Sequence, residues 1–117
     1  MSDRCQQSSS VRRRACAIAR LATAALGQEW IAHSAAVLVV TAVYQRTTRK
    51  YGHRGKRYVH IEVGHAAQNA LLQAAALGLG AAVVGAFDDA AMAQVLELPA
   101  SERPLYLLPV GWPADTE

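Results

Sequence analysis

At 117 residues, 52% hydrophobic and 18% charged, the chain is long enough for one domain around one core and too apolar for a disordered segment. Its formal charge of +3 is a modest excess that favours an anionic partner, either a phosphate-bearing cofactor or nucleic acid. No apolar run reaches bilayer length without polar interruption, and the start, "MSDRCQQSSSVRRR", carries no apolar segment of the secretory kind. The expected setting is cytoplasmic, with Cys5 and Cys16 as free thiols in a reducing compartment.

In chain order, residues 1–10 read as a flexible polar tail, residues 11–113 as a single domain and residues 114–117 as a second tail. Arg12 to Leu26 reads as a helix, because Ile18, Leu21, Ala22 and Ala25 recur at or near helical spacing. Gly27 is its stop. "EWIAHSA" follows as a turn or short helical segment. "AVLVVTAV", Ala36 to Val43, is β-branched and apolar on both faces, the pattern of a central, buried strand. Arg49 to Tyr58, "RKYGHRGKRY", packs five Lys and Arg into ten residues with two glycines, and reads as a basic loop. "YVHIEV" is either a short extended piece or the lead into a helix.

Glu62 to Leu77 carries the strongest helix signal. Its polar residues Glu62, His65, Asn69 and Gln73 form one narrow stripe, so the helix is expected to be buried on nearly every other side. Gly78 and Gly80 end it. Ala81 to Phe87 reads as a second strand, and Asp88 or Asp89 caps a helix reaching about Leu96. Pro99 and Pro104 bracket a loop. Leu105 to Gly111 reads as a third strand, and Pro109 places it at an edge or a bulge. The order predicts an α+β or α/β layered domain.

Chemistry-bearing motifs are sparse. His60 and His65 lack the i, i+4 spacing of a zinc helix, so no metal site is expected. The chain has no nucleophile elbow, P-loop or GxGxxG, and "GLGAAVVG" falls at a helix-to-strand turn, the wrong side of a dinucleotide fingerprint. The basic stretch permits three readings: a solvated loop, a nucleic-acid patch with tyrosines for stacking, or part of an active site. No RNA- or DNA-binding motif surrounds it, which leaves nucleic acid the weakest of the three.

One longer pattern is more specific. "GQEWIAHSAAVLVVTAVYQRT", then "RKYGHRGKRYVHIEVGHAAQNALLQAAALGLGAAVVGAFDDAAMAQVLEL", then "PLYLLPVG" together resemble the C-terminal half of the nitroreductase family, over roughly residues 27–113. The likeness is greatest to the branch of SagB-type dehydrogenases, flavin enzymes that oxidise azolines to azoles in modified peptides. The resemblance implies a nitroreductase-like α+β fold, truncated, with a central buried helix packed on a mixed sheet. It implies FMN as cofactor, a homodimer with flavin at the subunit boundary, and a peptide or small organic substrate. Gly85 and Ala86 match the segment whose main chain passes close to the flavin ring, where a bulky side chain would block the N–H groups needed near N5 and O4. Lys50 and Tyr51 match the Lys-Tyr pair of that branch. Azole formation removes a hydride and a proton from neighbouring atoms, and an ammonium beside a phenol makes either residue a usable base. The family often places a basic residue after the last "PVG", near the phosphate; here it is Trp112. The alternative expectation is a structural subunit that dimerises without binding flavin.

Overall fold

The computed structural model describes residues 10–114, with side chains from residue 17 onward. Most of the N-terminal tail, Cys5, residues 115–117 and the side chains of Arg12, Arg13, Arg14 and Cys16 lie outside the described residues. Leu21, Ala22 and Ala24 line the buried face of the first helix, α1 (Ser10–Ala24), and Ala25 follows them into the core. The helix closes where the amide of Gly27 returns to the carbonyl of Ala22. A 3-10 turn (Glu29–His33) drops Ile31 into the same core, fully buried.

Three antiparallel strands follow: β1 (Ala36–Ala42), β2 (Gly80–Ala81) and β3 (Arg103–Gly111), in the order β1-β3-β2. The expected central strand, Ala36 to Val43, therefore lies at an edge, with Leu38 52% exposed. The centre belongs to β3, although Pro109 predicted an edge or a bulge, and the strand takes in Pro104, which was expected to bracket a loop. Both prolines leave marks. Pro104 sits at an irregularity in the pairing with β1, where Val40 faces Tyr106 and Thr41 faces Pro104, so that Leu105 is the extra residue. Pro109 accepts from the amide of Ala82 at 3.3 Å but has no N–H to return. On that side the ladder shrinks to a two-residue β2 and an isolated bridge at Val84. That is why the strand expected over Ala81–Phe87 is mostly absent.

Leu107 joins Leu21, Ala25, Ile31, Val84 and Met92 in the main core, and Leu108 is as completely buried on the opposite sheet face. α4 (Asp89–Val95) closes the main core. Asp88 caps it by accepting from the amide of Ala91 at 2.9 Å, while its own amide donates to Ala24, tying α4 to the end of α1. Asp88→Ala is expected to cost about 1 kcal/mol, read as a lower melting temperature in a thermal unfolding curve.

The basic stretch is not a loop. α2 (Gln45–Tyr51) and a 3-10 turn (Gly52–Arg54) run directly into α3 (Gly55–Ala76), a single helix of 22 residues that absorbs both "YVHIEV" and the segment from Glu62. α3 touches all three strands, yet only Gly55, Ala67 and Ala74 are buried. Ile61 and Leu72 are 49% and 59% exposed. The expectation of a helix covered on nearly every side is thus corrected. Its alanines fit close packing, but among the described residues the sheet covers it along one seam and α2 meets it only near its start.

Candidate active site

The turn after Val84 is held from behind and bare in front. Val84 and Leu107 exchange two hydrogen bonds of 2.8 and 2.9 Å, after which the chain leaves the sheet. A Cβ on Gly85 would lie 3.2 Å from Cε1 of Tyr106, so the ring of Tyr106 admits only glycine without a shift. The carbonyl of Ala86 accepts from Nε2 of Gln28 at 3.0 Å, and the same nitrogen donates to Ala25 at 2.9 Å. Gly85 and Ala86 are both exposed. Among the described residues, the amides of Gly85, Ala86 and Phe87 have no hydrogen-bond acceptor. Main chain with successive open donors and no side chain over it fits the acceptor-rich edge of a flat heterocycle such as flavin.

Lys50 and Tyr51 lie in the last turn of α2. The Lys50 ammonium sits 5.3 Å from the centroid of the Tyr51 ring, over its face, and no hydrogen bond joins it to the phenol oxygen among the described residues. Tyr51 is half exposed and meets Tyr58 edge-to-face at 5.2 Å, and Nε of Arg54 donates to the Tyr58 hydroxyl at 3.0 Å. The backbones of α2 and α3 touch at this corner: a Cβ on Gly55 would lie 2.9 Å from the Cα of Thr48. Lys50 is thereby brought together with Tyr51. No hydrogen bond or ring contact links this pair to Gly85–Ala86 among the described residues.

A neighbouring pair escaped the reading of the sequence. A hydrogen bond of 2.6 Å joins Oη of Tyr44 to Nε2 of His60, with the two rings edge-to-face at 5.5 Å and the ammonium of Lys56 5.6 Å from the Tyr44 ring. The partners are 16 residues apart, so only knowledge of the α2–α3 corner would have found them. Burial raises the Tyr44 phenol above its ordinary value; Asp89 pushes the same way and Arg103 opposes. The folded state therefore holds this proton more tightly than the unfolded chain. The stabilisation is present below the ordinary tyrosine value and lost as pH rises through the raised one. Tyr44→Phe is expected to remove a late step from the alkaline absorbance titration and to flatten the loss of stability at high pH.

At the far end of the sheet a cleft of about 450 Å³ lies among Trp30, His33, Gly80, Gly111 and Trp112, and among the described residues no Lys or Arg lines it. Trp112, 79% exposed, offers no charge there to a phosphate. Among the described residues no His, Cys, Asp and Glu cluster could hold a metal, and no helix is long and apolar enough to cross a membrane.

Residues 1–112 match the sequence model of the nitroreductase family. A protein of Methanocaldococcus jannaschii assigned by name to the nitroreductases is 55% identical over 91 residues, covering 78% of this chain and 45% of that protein. The NADPH:FMN oxidoreductase of Vibrio harveyi, solved with NAD+, superimposes with a TM-score of 0.72 at 27% identity, covering 86% of this chain and 47% of that one. A chain of the Escherichia coli microcin synthetase McbBCD complex, solved with truncated pro-MccB17 bound, gives a TM-score of 0.64 at 30% identity over 68% of this chain and 30% of its own. The chain spans less than half the length of each.

Proposed function

The chain belongs to the nitroreductase family, and from that premise we propose that it forms part of an FMN-dependent oxidoreductase acting on a small organic or peptide substrate. The observation that carries this reading is the bare turn at Gly85–Ala86, with its open amides and its backing by Tyr106 and Gln28. FMN held there would supply hydride acceptance. The amides of Gly85, Ala86 and Phe87 would hold the ring edge, and Tyr106 would keep the turn from closing over it. Among the described residues no Lys or Arg stands beside Trp112 to grip the phosphate.

Within this reading, Lys50 and Tyr51 take and hold the substrate proton, and the substrate class is the azoline of the SagB-type branch. Support comes from the Lys-Tyr pair itself and from the likeness to a chain of the microcin synthetase complex. A homodimer is part of the same proposal, because α3 leaves Ile61 and Leu72 uncovered and a second copy would bury them. Light scattering on the purified chain should give twice the monomer mass, and a monomer at high concentration removes this element.

Adding FMN to the purified chain and separating unbound flavin should leave a yellow protein with flavin absorbance. A colourless protein would instead favour a structural subunit that dimerises without flavin, a reading supported by the lack of Lys or Arg, among the described residues, in the cleft at Trp112.

A further inference from the structure

We propose that the corner between α2 and α3 is a binding seat for a single phosphate group carried by a small molecule. Among the described residues, a cavity of about 180 Å³ there is lined only by His53, Arg54, Lys56 and Arg57. No Asp or Glu occurs between Glu29 and Glu62, whereas Arg46, Arg49, Lys50, Arg54, Lys56 and Arg57 all fall in that interval. The lining cations repel one another, and an anion among them relieves that repulsion while accepting several charge-assisted hydrogen bonds.

The frame is rigid. Gly52 turns the chain at a φ of 65°, and Gly55 is pressed against the backbone of Thr48. Two of the cations are already oriented: Nε of Arg54 is engaged by Tyr58, leaving the terminal nitrogens of its guanidinium, and Lys56 lies over Tyr44. The 22-residue α3 starts at this point with no acidic residue in its first turn and no side chain capping it, so its dipole adds to the same field.

All four lining residues fall within one span of five. That suits one tetrahedral group. A nucleic acid would instead need cations strung along the path of its backbone. The proposal goes beyond the flavin reading and does not depend on it, because the seat is complete in the chain without cofactor.

The test follows the amide spectrum of the full chain without flavin while inorganic phosphate is added at constant, physiological ionic strength, which screens exposed charges beyond about 8 Å. Saturable shifts confined to residues 52–57 are expected. Lys56→Gln and Arg57→Gln, both at exposed positions, should each weaken binding by at least about tenfold. Arg46→Gln, outside the cavity, should leave it unchanged. The same spectra report that each variant is folded. Parallel titrations with FMN and with a nucleoside monophosphate distinguish the sources. Displacement of phosphate by FMN but not by riboflavin assigns the seat to the cofactor, and displacement by the nucleotide alone assigns it to a separate ligand. Shifts that grow without saturating, or that survive in both glutamine variants, overturn the proposal. So does tighter binding of a single-stranded oligonucleotide that falls steeply with salt.

Discussion

Replacing Tyr51 with phenylalanine should lower turnover of an azoline-bearing peptide by about 10²–10⁴-fold, the range for loss of a general acid–base group, while FMN stays bound. The variant keeps the ring in its edge-to-face contact with Tyr58 and beneath Lys50. It loses only the hydroxyl, so the effect isolates proton handling from packing. Lys50→Met removes the ammonium and leaves the phenol, and comparing the two pH profiles would show which of them takes the proton. Turnover and flavin absorbance are measured on the same sample. A Tyr51→Phe protein that turns over at the original rate would strip Tyr51 of its proposed role, and an equally unaffected Lys50→Met would strip the pair.

Gly85→Val should abolish retention of FMN and destabilise the fold by about 1–3 kcal/mol, the usual cost of overpacking. The two losses have different origins. The new Cβ would stand 3.2 Å from the Tyr106 ring, and the branched methyls would cover amides that are otherwise open. A second substitution separates them: Gly85→Val combined with Tyr106→Ala makes room behind the turn and should recover part of the stability without recovering the flavin. FMN binding is read by quenching of its fluorescence, and stability by urea unfolding. Full flavin binding in Gly85→Val would move the cofactor away from this turn.

Much of the architecture was legible where a local rule decided the outcome. The β-branched run from Ala36, the capping by Asp88 and the long apolar helix beyond Glu62 all lie where they were expected. What failed were questions of placement. Composition identified a strand at Ala36–Val43 but could not say which strand would take the middle of the sheet, because that depends on pairing. The apolar sides of α3 predicted burial without naming what would cover them. The basic stretch with its two glycines read as a loop. Gly52 does end a helix, but Gly55 serves to let two helices approach. The Tyr44–His60 pair had no local signal at all, and the buried residues Ile31 and Met92 sit in segments too short to show a period. Of the candidate residues, Lys50 and Tyr51 were found as neighbours, but that the ammonium lies over the ring face is a property of the folded corner.

The contact between Gly55 and Thr48 has a consequence for variation. His53, Arg54, Lys56 and Arg57 all stand exposed around it, and the closest approach of the two helices is backbone to backbone, with Lys56 alone of the four lying over a ring at the start of α2. Scaffold and specificity are therefore separable at this corner. A combinatorial library randomised at those four positions, with glycine kept at 55, would sample many ligand preferences on one unchanging frame. A lone methyl group at position 55 would instead alter the frame and leave the chemistry of the surrounding side chains intact.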